Sequence, residues 1–382
     1  MIPLTFETLP DLASRPFGGG VVYANDEFFA AADNLVTDEP PTFTPRSFGP
    51  KGQVYDGWET RRRRGPAGAG PDPDRDCDHA IVRLGAPGLV HGVVIDTAFF
   101  TGNYPTYASV EACGVEGHPS PDELADAEWE ALIPRSPLQG DSPNPFAVEP
   151  DRRYTHVRLT IYPDGGVARL RVHGVAVPDP RLYPDGVLDL AAAENGAKVV
   201  ACSNMFYGTP NRLIMPGLAR VMGEGWETAR RRDDDNDWVQ VALAEAGQVL
   251  VAELDASHFK GNAPGAASLR GVDARSSDVN DPSVWFELLP RTRLEPDTRH
   301  RFRLDPAAAA THVRLDVFPD GGMARLRLWG RLTIDDRAAA TLRWLNLLPA
   351  AHARAVLTGA GADPGLAAVR PLADLPEALA PR

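Results

Sequence analysis

Glu59 and Glu227 are carboxylates set beside runs of arginine. Gly57-Trp58-Glu59-Thr60-Arg61-Arg62-Arg63-Arg64 returns 168 residues later as Gly225-Trp226-Glu227-Thr228-Ala229-Arg230-Arg231-Arg232. Arginine is the side chain best shaped to hold a carboxylate through two parallel hydrogen bonds, so Arg61, Arg62, Arg230 and Arg231 are candidate substrate-binding residues. A glutamate beside them can accept hydrogen bonds from an amide- or amidine-like group, or carry a proton, which makes Glu59 and Glu227 candidate catalytic groups. Trp58 and Trp226 read as packing, and the Glu/Arg alternation also fits plain cross-strand ion pairing.

A second duplicated element is Phe100-Thr101-Gly102-Asn103-Tyr104-Pro105, matched by Phe259-Lys260-Gly261-Asn262-Ala263-Pro264. Its glycines allow a ligand to approach the backbone, and Asn103 and Asn262 each offer a donor and an acceptor. The copies differ just before it. Ala98-Phe99-Phe100-Thr101 stands in the first, Ser257-His258-Phe259-Lys260 in the second. His258 adds an acid/base group and Lys260 a cation, so if one copy alone is chemically competent, the second is expected to be. His156 and His312 recur mid-strand and read as sheet histidines. No metal-ligand spacing, nucleophile elbow, phosphate loop or dinucleotide fingerprint is found, and no metal or cofactor is expected.

These residues must be positioned by one fold written in tandem. Asp11-Leu12-Ala13 also recurs as Asp189-Leu190-Ala191, and Thr155-His156-Val157-Arg158-Leu159 as Thr311-His312-Val313-Arg314-Leu315. Leu35 and Gly57 are 22 residues apart but Leu213 and Gly225 only 12, so ten extra residues enter the first copy, in the stretch Pro40-Pro41-Thr42-Phe43-Thr44-Pro45. Nine more fall in Gly65–Pro73. Both should be surface loops, since loops tolerate insertions and strands do not. Asp233-Asp234-Asp235-Asn236-Asp237 in the second copy reads as a solvated acidic loop.

Val157, Leu159 and Ile161 alternate with Arg158, Thr160 and Tyr162, the period-two pattern of a half-buried strand. After Pro163-Asp164-Gly165-Gly166, Ala168, Leu170 and Val172 continue the alternation, which reads as a β-hairpin. The same is expected around Pro319-Asp320-Gly321-Gly322, with Ala324, Leu326 and Leu328 inward. Ile81–Leu84 and Val93–Asp96 read as two further strands separated by a Leu-Gly-Ala-Pro-Gly turn, and a short helix is expected over Leu188–Glu194. The chain is therefore all-β: a first sandwich over 1–178, a linker at 179–187, a second sandwich over 188–337, and a C-terminal helix and tail over 338–382.

At 382 residues with 43% hydrophobic and 24% charged content, the chain can bury two globular cores. A net charge of −13 excludes a nucleic-acid partner, which needs a broad basic surface. Cys77, Cys113 and Cys202 are odd in number and read as reduced thiols. The N-terminus lacks the pattern of a signal peptide, and no stretch approaches the ~18 apolar residues of a membrane span. A cytoplasmic homo-oligomer without membrane contact is expected.

The paired Gly-Trp-Glu-Thr-Arg motifs resemble the allantoicase family, as do Arg83-Leu84-Gly85-Ala86-Pro87-Gly88, Asp96-Thr97 with the Gly-Asn element, and Asp255 with His258-Phe259-Lys260-Gly261-Asn262. The likeness covers about residues 11 to 335. Two departures stand out: Ala229 opposite Arg61, and Ala244-Glu245-Ala246-Gly247 in place of the Leu-Gly-Ala-Pro-Gly segment. The resemblance implies two jelly-roll-like, galactose-binding-type antiparallel β-sandwich domains. It also implies hydrolysis of allantoate to ureidoglycolate and urea in purine catabolism. Allantoate carries one carboxylate and two ureido groups on one carbon. On this reading Arg230 and Arg231 hold the carboxylate, Glu and Asn meet the ureido groups, and His258 or Glu227 carries the proton. A non-catalytic ligand-binding protein of the same shape is the alternative, and a ureidoglycolate-type ureide hydrolase another.

Overall fold

The computed structural model describes residues 5–65, 70–72, 75–305 and 308–381. Most of the Gly65–Pro73 insertion lies outside them, as do residues 1–4. In each repeat one 19-residue strand organises the sandwich. In the first, Asp78–Asp96 pairs over its first half with Arg153–Tyr162 and Gly20–Ala24. Tyr107–Cys113 and Glu130–Pro137 extend that sheet. Over its last five residues the same strand pairs with Pro143–Ala147, and Arg169–Ala176 joins it there. The register jumps between Arg83 and Gly88, after which Gly88 and Leu89 still pair with Tyr154 and Arg153 before the strand passes to Pro143–Ala147 at Gly92. The Leu-Gly-Ala-Pro-Gly segment is thus a bend inside one strand and not a turn between two. Gly85 is needed there, since a Cβ would sit 2.2 Å from the Phe17 carbonyl oxygen.

The second repeat has the same plan. Asp237–Asp255 pairs with Ala310–Phe318 and Lys198–Cys202, shifts register between Ala242 and Gly247, then pairs with Arg325–Arg331 and Arg299–Arg303. The residues expected to point inward do so. Val157, Leu159, Ile161, Ala168, Leu170 and Val172 are fully buried, as are Ala324, Leu326 and Leu328. Each Val, Leu or Ile among them contributes roughly 1.5–3 kcal/mol on removal from water, which is what holds the two faces together.

The expected hairpins do not form. Gly166–Val167 pairs with Trp58–Glu59, and Gly322–Met323 with Trp226–Glu227, so each Pro-Asp-Gly-Gly segment crosses from one sheet to the other. Alternation determines which side chains face inward but not which strand lies alongside. The helix expected over Leu188–Glu194 is also absent. Val187–Asp189 is a strand and Ala193–Asn195 a single 3-10 turn. Leu190 to Ala193 are all but completely buried, so the run has no solvent face for an amphipathic helix to present.

Two C-terminal helices follow, Ile334–Leu347 and Ala350–Ala360. The chain divides into two compact units: Pro10–Gly174 with Asn346–Pro371, and Val175–Leu345 with the terminal segments up to Leu9 and from Leu372. In the first unit, His352 Nε2 lies 2.8 Å from Glu116 Oε2. In the second, Trp344 is buried with the Arg181 guanidinium over its ring. No helix among the described residues is long and apolar enough to cross a membrane.

Two stability predictions arise here. Phe259 fills the space beneath the Glu227 strand so closely that a Cβ on Gly322 would sit 1.9 Å from its ring. Gly322→Ala should therefore cost about 1–3 kcal/mol, read as a lowered midpoint in urea unfolding, and Gly322→Ala with Phe259→Leu should recover part of the loss. The second concerns His156, whose imidazole burial lowers to about 4, with Arg83 adding repulsion. An unfolded histidine takes up its proton near pH 6.5, so the unfolded chain binds more protons below that value and stability falls as pH drops from 6.5 towards 4. The full effect is up to about 3 kcal/mol. Unfolding midpoints measured at pH 7 and pH 4.5 should separate less in His156→Gln than in the natural chain.

Candidate active site

The two-residue strand Trp58–Glu59 is anchored by its tryptophan, which is fully buried and donates from Nε1 to the Asp26 carbonyl at 2.8 Å. Trp226 does the same to the Asn204 carbonyl, also at 2.8 Å. With the ring fixed below, alternation turns the next side chain the other way, so Glu59 and Glu227 face the Gly-Asn turn. Asn103 Nδ2 donates to Glu59 Oε1 at 2.7 Å, and Asn262 Nδ2 to Glu227 Oε1 at 2.6 Å. Burial raises the Glu59 carboxyl above its ordinary range, against the Asn103 hydrogen bond and the Arg62 charge.

Arg62 and Arg230 close the other side. Arg62 donates to Asp164 Oδ1 at 2.9 Å and to the Gly102 carbonyl at 3.1 Å. Arg230 donates to Asp320 Oδ1 at 2.9 Å and to the Gly261 carbonyl at 2.8 Å. The aspartate side chains are 2% and 4% exposed, while the arginines are 54% and 62% exposed, so each cation reaches solvent from a buried counter-ion. The second aspartate oxygen accepts the backbone N–H of the next residue, Arg63 at 2.7 Å and Arg231 at 2.9 Å. Asp164 and Asp320 were not among the residues singled out from the sequence. The signal was present in the duplicated Pro-Asp-Gly-Gly segment, which reads as a turn until its aspartate is seen to meet the arginine.

The other arginines have separate partners. Arg61 pairs with Asp26 at 2.6 Å, and the second repeat replaces both ends together with Ala229 and Asn204. Arg63 binds Asp78. All three Arg231 nitrogens face carboxylates, Asp233 at 2.8 Å, Asp237 at 2.9 Å and Asp235 at 3.6 Å. The acidic loop is thus folded onto Arg231, and the guanidinium is occupied. Lys260 is 80% exposed, with Nζ 3.9 Å from Asp297.

His258 has left-handed backbone geometry, φ 72°, and Phe99 in the first repeat has φ 69°. This conformation costs a bulky residue of order 1–3 kcal/mol, and its retention in both copies marks a constrained position. Asp297 and Asp141 hold the two backbones, each accepting the N–H at 2.7 Å. His258 Nε2 lies 2.9 Å from the Ala219 carbonyl, an acceptor only, so Nε2 carries the hydrogen and Nδ1 is left to exchange a proton. Asn262 Nδ2 lies 3.3 Å from Met222 Sδ, so the Ala219–Met222 segment touches both site residues. Phe99 instead stacks on Phe43, with centroids 5.6 Å apart, and Phe43 stacks on Tyr55 at 5.3 Å. Phe43 comes from the ten-residue insertion. Beside the glutamate strands, Phe28–Phe29 and Phe206–Tyr207 meet edge-on at 88° and 90°. Among the described residues no three His, Cys, Asp or Glu side chains are grouped to hold a metal ion.

A family model described as the allantoicase repeat matches residues 10–177 and again 188–333. The chain belongs to the allantoicase family. It is 54% identical over 332 residues to a probable allantoicase of Nocardia farcinica, covering 86% of this chain and 96% of that one. With a probable allantoicase of Streptomyces coelicolor it shares 50% identity over 348 residues, 90% of this chain and 91% of the relative. The crystal structure of Saccharomyces cerevisiae allantoicase superposes with a TM-score of 0.69 at 30% identity, covering 85% of this chain and 96% of the yeast chain. The tandem antiparallel sandwich is thus the allantoicase fold, and both repeats of this chain carry a Glu–Asn pair and an Arg–Asp pair.

Proposed function

We propose that this allantoicase-family hydrolase cleaves allantoate to ureidoglycolate and urea, with the chemistry at the second-repeat cluster. The observation that carries the assignment is His258, which has an available Nδ1 and shares its loop with Asn262, the partner of Glu227. Arg230, tethered by Asp320 but open to solvent, meets the substrate carboxylate, and Lys260 adds positive charge nearby. Arg231 supports this by closing the acidic loop. Asn262 and Glu227 receive the ureido groups.

In the reaction the C–N bond to one ureido group breaks, and its nitrogen takes a proton and leaves as urea. The remaining ureido N–H loses a proton, giving an acylimine between that nitrogen and the former central carbon. Water adds across this C=N bond, oxygen to carbon and hydrogen to nitrogen, giving ureidoglycolate. His258, protonated on Nδ1 as well as Nε2, gives the Nδ1 proton to the leaving nitrogen, Glu227 accepts the one released, and return of that proton from Glu227 to Nδ1 resets the pair. Urea release by Glu227→Gln and by Glu59→Gln tests the assignment. The loss should be at least tenfold larger for Glu227→Gln, and a larger loss for Glu59→Gln would move the chemistry to the first repeat.

The free thiols Cys77, Cys113 and Cys202 support a cytoplasmic location. Exposed Phe206, Tyr207, Leu218 and Val221 support association into a homo-oligomer.

A further inference from the structure

The first repeat keeps the polar geometry of the second but not its proton carrier. Its Asn–Glu hydrogen bond is 2.7 Å against 2.6 Å, and both arginine–aspartate contacts are 2.9 Å. Each arginine also reaches the carbonyl of the glycine before the asparagine. Each site backbone is closed by the same threonine bond, Gly165 N to Thr60 Oγ1 at 3.1 Å and Gly321 N to Thr228 Oγ1 at 3.0 Å. At the position of His258, with the same backbone geometry, stands Phe99. Phe43, from the insertion present only in this repeat, stacks on it. Phenylalanine can neither donate nor accept a proton.

We infer that the first-repeat cluster of Glu59, Asn103 and Arg62 is a second ligand site, which binds a small ureido-carboxylate of the substrate's own class without turning it over. Arg62 takes the carboxylate, Glu59 and Asn103 take the ureido group, and Phe99 walls the place where the second repeat has its proton carrier. Each chain then binds two such molecules and converts one. The inference rests on assigning catalysis to His258, and it gives Glu59 a binding role in place of a catalytic one.

The test is calorimetric titration of full-length His258→Ala with allantoate, alongside its urea release. Two equivalents per chain are expected. Adding Asn103→Asp, which sets a carboxylate beside Glu59 and repels the anionic ligand, should remove one equivalent, and Arg62→Gln should independently do the same. One equivalent in His258→Ala, unchanged by both substitutions, overturns the second site and leaves the catalytic assignment standing. Undiminished urea release by His258→Ala overturns the catalytic assignment, and with it the division of labour. Two equivalents, with urea release lost on Arg62→Gln and retained on Arg230→Gln, would overturn the inference by placing the chemistry in the first repeat.

Discussion

His258→Ala is expected to lower allantoate turnover by about 100-fold or more, the low end of what a positioned proton carrier contributes. His258 is held twice, its backbone N–H donating to Asp297 Oδ1 and its ring Nε2 to the Ala219 carbonyl, which fixes the ring and leaves Nδ1 for proton transfer. Removing the ring leaves the Asn262–Glu227 pair and Arg230 untouched. The effect should therefore fall on kcat with KM nearly constant. Glu227→Gln should act on kcat as well, since glutamine fills the space but cannot accept the proton. A drop of less than about tenfold in both variants sinks the acid/base assignment.

Arg230→Ala should show the opposite division. Its guanidinium is bound on one side to Asp320 and the Gly261 carbonyl and is 62% exposed on the other. A hydrogen bond to a charged group contributes about 1.5–3 kcal/mol, so KM for allantoate should rise by roughly 10- to 150-fold. Arg230→Lys should recover little, because an ammonium cannot reach aspartate, carbonyl and ligand together in one plane. Loss of the cation also leaves Asp320 buried without its counter-ion, still accepting the Arg231 N–H, so unfolding should occur at lower urea. Initial rates over a range of allantoate concentrations separate the two effects. An unchanged KM would show that the carboxylate is held elsewhere.

Much of this arrangement was legible in the chain. The doubling, the inward faces of the strands and the packing role of Trp58 and Trp226 follow from period and composition alone. Strand partners did not follow, because alternation around Asp164 is the same whether the chain turns back or crosses to the other sheet. The arginine roles were hidden for a related reason. Arg61, Arg62 and Arg63 are identical neighbours in sequence, and their different partners Asp26, Asp164 and Asp78, 35, 102 and 15 residues away, distinguish them. The coupled loss of Arg61 and Asp26 in the second repeat explains why Ala229 leaves the cluster intact. The tautomer of His258 depends on a carbonyl 39 residues away. The aromatic wall of the first repeat depends on an insertion that reads as an ordinary loop.

The most direct test of the central claim is product analysis after full-length chain is incubated with allantoate. Urea and ureidoglycolate in equal amounts, at a rate that falls about 100-fold or more in His258→Ala, is the predicted result. Absence of urea, or ammonia released in its place, would contradict it.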